Sequence, residues 1–303
     1  MKTEMPLFRT LSFNISFFIM KKRTLSAFFL SSCVLLMAVQ SHAQRKPDDP
    51  KHENHYSVVP VESDEMTLEF IDPHSQQEFT HTKMKVTNKT NDYIFFKGSE
   101  SRFKYDFGEF PPTGGGMFQG LNMQVLPKET ETKTLKVSGE GKNYHVQSLT
   151  FLTNGFYRVA YDGKVQEVPN FKLPLAANDF TAGNFKCNVD KLDKETKETK
   201  IVFKCVYRGN DVGIVDPGKL VVKLANGQEF VNDYRKNKVD LLTSGDDTKI
   251  VATFHVPGKV EDMQFANMDI VWKNTFSESK MVPIKLKNAD FVFDPGKTEG
   301  KNK

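Results

Sequence analysis

Apolar side chains recur at every second position in short runs along most of this chain. Leu68 and Phe70 flank Glu69, Met84 and Val86 flank Lys85, and Ile201, Phe203 and Cys205 alternate with Val202 and Lys204. Val251 to Val256 and Pro283 to Leu286 repeat the pattern. A period of two places one set of side chains on one face of an extended segment, so each run predicts a half-buried β-strand. Almost no stretch holds a helical period long enough to compete. Asn226-Gly227 and Asp162-Gly163 supply dipeptides that accept positive φ at both central positions of a tight hairpin turn. Many short strands punctuated by turns predict an all-β chain built as a sandwich or barrel.

The two ends depart from that pattern. Residues 1–43 hold Met20-Lys21-Lys22-Arg23, an apolar run from Leu25 to Val39 and Ser41-His42-Ala43, the basic, apolar and small-residue regions of a signal peptide. Cleavage is expected after Ala43, and Met20 makes a better start than Met1. A membrane anchor needs an apolar run of ~20 residues, longer than this one, and the lipobox-like Leu30-Ser31-Ser32-Cys33 is followed by further apolar residues where a lipobox ends. Residues 44–59, polar and with two prolines, read as a flexible arm, and residues 295–303 as a disordered tail.

Removing the leader changes the charge. The whole chain carries +4, and residues 1–43 contribute five basic groups against Glu4, so the remainder is formally neutral. Neutrality removes the electrostatic footing for nucleic-acid binding.

Between the ends a longer pattern repeats. Thr82-Lys83-Met84-Lys85-Val86 lines up with Thr199-Lys200-Ile201-Val202-Phe203, and Asn91-Asp92 with Asn210-Asp211. Gly108-Glu109-Phe110 meets Gln228-Glu229-Phe230, Asn154-Gly155-Phe156 meets Asn274-Thr275-Phe276, and Val168-Pro169 meets Val282-Pro283. The order is kept while the spacing drifts by loop-sized amounts, which predicts an internal duplication. Two tandem immunoglobulin-like β-sandwich domains are therefore expected, at 60–173 and 174–294, each near the size of one such sandwich. The layout resembles exported bacterial proteins with tandem immunoglobulin-like domains of unknown function, although a core tryptophan between two distant cysteines is missing. That resemblance implies a periplasmic, secreted or cell-surface location.

Cys187 and Cys205 lie symmetrically about residue 196. If the polar segment between them closes a hairpin, they face each other across neighbouring strands, where Cα atoms lie ~4.5 to 5.5 Å apart, within disulfide reach. A structural disulfide, two buried thiols packing as small hydrophobes, and a redox or metal role all remain open. The last lacks a CxxC spacing or partnering histidines.

Pro111-Pro112-Thr113-Gly114-Gly115-Gly116 is the most unusual string, but it lacks the Lys-Ser/Thr ending of a phosphate-cradling loop. It reads as an exposed loop, with Phe110, Gly114, Gly115, Gly116, Met117 and Phe118 as candidates for a binding surface. His52-Glu53-Asn54-His55 falls one residue short of the zincin pattern and sits among prolines, so it reads as solvated, with weak metal capture helped by Asp48 and Asp49 as the minor alternative. His74, His81, His145 and His255 are scattered along the sequence. No catalytic residue, metal ligand or cofactor is assigned. The expected function is a non-enzymatic binding or structural protein of the cell envelope, acting through contacts with a protein or envelope component, with no nucleic acid and no membrane span after signal cleavage. A carbohydrate-binding module using Trp272, Tyr105, Tyr157 and Tyr161 is the alternative, and an enzyme with a site in the interdomain cleft the third.

Overall fold

Alternation of buried and exposed side chains does organise the chain. The computed structural model describes residues 45–114 and 121–303; the leader and its cleavage site lie outside the described residues. Twelve strands come first: β1 (Asn54–Val58), β2 (Val61–Glu62), β3 (Met66–Ser75), β4 (Phe79–Asn88), β5 (Tyr93–Phe96) and β6 (Arg102–Tyr105). They continue as β7 (Gly108–Phe110), β8 (Thr113–Gly114), β9 (Met123–Val125), β10 (Thr130–Ser138), β11 (Ser148–Leu152) and β12 (Phe156–Val159). The middle of the chain adds β13 (Lys164–Val165), β14 (Phe171–Leu173), β15 (Asp179–Ala182), β16 (Phe185–Lys194), β17 (Glu198–Tyr207) and β18 (Val212–Val215). Then come β19 (Leu220–Leu224), β20 (Glu229–Val231), β21 (Asp240–Leu242), β22 (Asp247–His255), β23 (Met268–Trp272) and β24 (Phe276–Ser279). The chain closes with β25 (Met281–Pro283), β26 (Ala289–Phe293) and a short helix, α1 (Pro295–Lys301).

The strands pair antiparallel throughout. One lobe contains a ten-stranded sheet ordered β7-β6-β11-β26-β1-β3-β4-β10-β8, with β2 paired to β3, and a smaller sheet β25-β12-β5-β9. The other contains β15-β16-β17-β22, β14-β23-β19-β20 and β13-β24-β18-β21. The boundary expected at 173/174 does not follow the pairing. β13 and β14 pair with β24 and β23 in the second lobe, whereas β25 and β26 return to pair with β12 and β11 in the first. Each lobe thus borrows its last strands from across the middle of the chain.

Strand β17 shows why the sequence folds this way. Thr199, Ile201, Phe203, Cys205 and Tyr207 are all buried, while Lys204 faces out. Strands β5 and β18 bury both faces, and their apolar runs are correspondingly continuous. Ile94 and Phe96 enter the first core, whereas Tyr93 and Phe95 join Val159, Val212, Ile214 and Leu241 in a separate cluster between the lobes. Gln124 crosses the same junction, donating to Val239 O at 2.6 Å and accepting from the Leu241 amide at 2.8 Å. Gly213 on β18 allows close packing within the second lobe, where a Cβ would meet Tyr207 at 2.7 Å and Phe185 at 2.8 Å.

Residues 45–59 and 295–303 are built into the fold, contrary to the flexible arm and disordered tail expected from their polarity. β1 is a central strand of the ten-stranded sheet, between β26 and β3. α1 is capped by Asp294, whose side chain accepts from the Lys297 amide, and the buried Asn302 clamps residue 53 with both amide atoms. Hydrogen bonds to partners far along the chain satisfy these polar groups, so polarity did not mean solvation.

Candidate metal centre

His55, His74 and His81 occupy directly opposed positions on three adjacent strands. The register pairs His55 with His74 across β1 and β3, and His74 with His81 across β3 and β4. All three side chains project from the face opposite the first core. On β1 the core residue is Tyr56, and on β4 the core residues are Met84 and Val86.

His74 reaches that face only because β3 carries a bulge. Between Ile71 and His74 the strand gains one residue relative to β4. In unbroken alternation His74 would follow Leu68 and Phe70 toward the core; the extra residue inverts the parity and brings it beside His55. Asp72 sits in the bulge at φ 48°, a left-handed conformation that Asp tolerates better than most residues. Pro73 follows at a position where a missing N–H costs no ladder bond.

The bulge also aims the Asp72 carboxylate between two imidazoles. Oδ1 lies 3.6 Å from His55 Nδ1, and Oδ2 lies 3.7 Å from His74 Nδ1. His55 Nε2 donates to Glu53 Oε2 at 2.9 Å, and Gln76 Nε2 donates to Glu53 Oε1 at 3.1 Å. Glu53 thereby holds the Nε2 edge of the ring and leaves Nδ1 facing Asp72. Burial alone would raise the Glu53 pKa, but the bonds from His55 and Gln76 hold it below the usual carboxylate value. His74 Nδ1 also donates to the Asp72 carbonyl at 2.9 Å, fixing its ring.

Ligand atoms of His55, Asp72 and His74 all lie within 4.8 Å of one another. Nitrogen and oxygen ligands bind zinc at ~2.0–2.2 Å, which sets ligand atoms on a common tetrahedral ion roughly 3.4 Å apart. The 3.6 Å between His55 Nδ1 and Asp72 Oδ1 approaches that value, whereas His74, whose Nδ1–H is engaged by the Asp72 carbonyl, would have to turn or offer Nε2 to join them. Glu53 stands in the supporting position, a carboxylate orienting a ligating histidine through its other ring nitrogen. The C-terminal helix packs beside His55 and leaves Asp72 open to solvent: Thr298 Oγ1 accepts from the His55 amide at 3.0 Å, and Lys301 Nζ, whose charge would oppose a cation, comes within 3.9 Å of Asp72 Oδ1. His55 is only 3% exposed.

His52 and His145, 93 residues apart in sequence, form a second pair, with His52 Nδ1 and His145 Nε2 2.8 Å apart. Burial, followed by the repulsion of His52, lowers the His145 pKa. His255 belongs to the other lobe, between Glu198 at 2.7 Å and Asp233 in close contact.

The chain matches no protein-family profile. No curated protein is significantly similar to it either. Among solved structures, the crystal structure of AerE from Microcystis aeruginosa covers 80% of this chain and 99% of its own length, at 9% identity and a TM-score of 0.10. At that score the likeness carries no argument about fold or function.

The other residues singled out in the sequence fall in different places. Cys187 and Cys205 are directly opposed across β16 and β17 and form a disulfide buried in the second core. The polar segment between them is mostly strand, with the turn confined to residues 195–197 around the predicted centre. Phe110 on β7 packs edge-on against Tyr105 and Tyr144, and Gly114 pairs within β8. Gly115, Gly116, Met117 and Phe118 lie outside the described residues. Trp272 packs with Phe180, Phe203 and Phe276 inside the second lobe, while Tyr105 is buried in the first. The four aromatic residues considered for sugar stacking therefore share no exposed face.

The sequence reading gave His55 only minor weight as a ligand and left His74 and Asp72 unassigned. One available signal was symmetry: His74 and His81 are equidistant from the middle of SQQEFT, as the cysteines are from residue 196. The bulge that turns His74 outward left no comparable signal.

Proposed function

We propose that this chain is an exported, non-enzymatic binding protein of the bacterial cell envelope, and that it binds a divalent metal ion through His55, Asp72 and His74. The cross-strand placement of those residues, with Glu53 behind His55, is the observation that carries the reading. A buried disulfide is compatible with export to an oxidising compartment, and no helix among the described residues is long and apolar enough to cross a membrane.

We further infer that the lobes are immunoglobulin-like and arose by duplication. The run β3-β4-β10 in the first lobe has its counterpart in β16-β17-β22, β12-β5-β9 in β24-β18-β21, and β11-β6-β7 in β23-β19-β20. The reciprocal exchange of terminal strands supports the same reading.

Calorimetric titration of the purified chain with Zn²⁺ tests the metal assignment. One ion per chain is expected, with affinity falling at least about tenfold in His55→Asn and His74→Asn. Absence of binding, or unchanged binding in both variants, contradicts it.

Contact with an envelope protein is the second reading. It is favoured by Val59 and Val292, exposed by 81% and 57%, which line one groove beside Lys297 of α1. Isolated apolar side chains are common on surfaces, but two in one groove mark a contact candidate. Val59→Glu with Val292→Glu should abolish recovery of a specific envelope partner, and equal recovery would discard this reading.

A further inference from the structure

We infer that His81 is a third imidazole ligand of the same centre, and that the site therefore selects imidazole-preferring ions such as Zn²⁺, Ni²⁺ or Cu²⁺ over Mn²⁺, Mg²⁺ and Ca²⁺. The inference rests on the metal reading above and gives that site its chemical preference.

Three observations converge on His81. It is the direct cross-strand neighbour of His74, so the sheet itself holds the two rings together. Their centroids lie 5.0 Å apart, although only His55, Asp72 and His74 bring ligand atoms within 4.8 Å of one another, so the His81 ring must turn to join them. Finally, His81 Nδ1 is buried and has no hydrogen-bond partner. A buried polar nitrogen without a partner costs about 1–3 kcal/mol and calls for an explanation. An ion shared with His74 would supply one.

Two lysines flank this corner and would oppose a cation. Lys136 pairs opposite His81 with its Nζ over the Phe79 ring at 4.6 Å from the centroid, and its charge still bears on His81. Lys83 pairs with Ile71 on the far side of the bulge, one cross-strand position removed. Asp72 supplies the compensating negative charge within the set.

Three imidazoles and one carboxylate define a preference. Imidazole suits zinc, copper and nickel, whereas calcium, magnesium and manganese favour oxygen ligands. With His55, His74 and Asp72 alone the preference would be weaker. Each additional nitrogen moves it toward the borderline ions and away from the hard ones.

X-ray absorption on the Zn²⁺-loaded full chain tests the ligand count, and titration of His81→Asn tests its weight. The predicted spectrum carries three imidazoles, and one fewer in His81→Asn. The variant should lose at least about tenfold in Zn²⁺ affinity while Mn²⁺ binding, already weak, changes little. Two imidazoles in the wild-type spectrum, or wild-type affinity in His81→Asn, overturns the assignment while leaving the His55–Asp72–His74 centre standing. Failure of the wild-type chain to bind Zn²⁺ removes both. If His81→Asn does not fold, the wild-type spectrum alone decides the count.

Discussion

Asp72 meets two requirements that few side chains satisfy together. It adopts φ 48° in the β3 bulge and offers its carboxylate to imidazoles on both sides. The requirements are separable by substitution. Asp72→Asn keeps the tolerance of the left-handed region and removes the charge, so stability should stay within about 0.5 kcal/mol while metal affinity falls. Asp72→Val should instead cost about 1–2 kcal/mol through backbone strain. Urea denaturation beside metal titration of both variants checks the split; equal stability in the two would refute the role of the bulge conformation.

His255 offers a pH test remote from the metal centre. Hydrogen bonding to Asp233 raises its pKa, burial works against that, and Glu198 adds to the rise. The charged imidazolium is thus favoured in the folded state. Its stabilising contribution is fully present below the unfolded value near ~6.5 and disappears as pH rises through the higher folded value. The side chain is half-exposed, so solvent keeps the effect small. The stability lost in His255→Gln should shrink steadily from roughly pH 5 to pH 8, and a difference that grows across that range would contradict the assignment.

Elements carry the next level of the account. The disulfide joins the eighth residue of β17 to its opposite number on β16; the eighth residue of β4 is Val86, opposed by Leu68 on β3. The same position of the first lobe is thus filled by an apolar pair, and Asn88, which falls on Cys205 when Thr82–Val86 is matched to Thr199–Phe203, instead ends its strand. Reducing the bond should cost about 3 kcal/mol in the chain-entropy model for a loop of this length. Denaturation with and without reductant measures it, and an unchanged midpoint would show that the bond adds nothing to apolar packing.

Strands such as β17 were legible because side-chain burial alternates with the residue pattern. The cysteine pair was legible because a hairpin preserves sequence symmetry. β1 and α1 were not: His52, Asn54, His55, Thr298 and Asn302 are polar, and their burial depends on bonds spanning up to 249 residues. Helix α1 holds Gly296 and Gly300, poor helix formers each worth about 1 kcal/mol against alanine, so its helicity rests on the Asp294 cap and on β1. Asn302→Ala removes both bonds to the residue 53 backbone and should destabilise the protein by roughly 1–3 kcal/mol. Thermal melting checks this, and an unaltered midpoint would mean that α1 is not needed to hold β1.

At the scale of the whole molecule, exchanged strands bind the lobes into one unfolding unit. β25 and β26 belong to the first lobe's sheets while following β24 of the second, and Gln124 bridges the junction. Trp272 is the chain's single tryptophan and sits in the second core. Its fluorescence should therefore lose native character at the same denaturant concentration as the far-ultraviolet signal of the entire chain. Separate transitions would mean that the exchange does not couple the lobes. The repeated order of strands was legible as spaced similarities, but the exchange was not, because consecutive sequence gives no sign of which lobe a terminal strand will join.

The proposed metal centre belongs to this largest scale, since its residues come from β1, the β3 bulge and β4, with α1 beside them. Anomalous diffraction from crystals of the chain grown with Zn²⁺ locates the ion directly. A single strong peak within about 2.2 Å of His55, Asp72 and His74 side-chain atoms is predicted. A map with no peak there, or with its strongest peak elsewhere, would contradict the account.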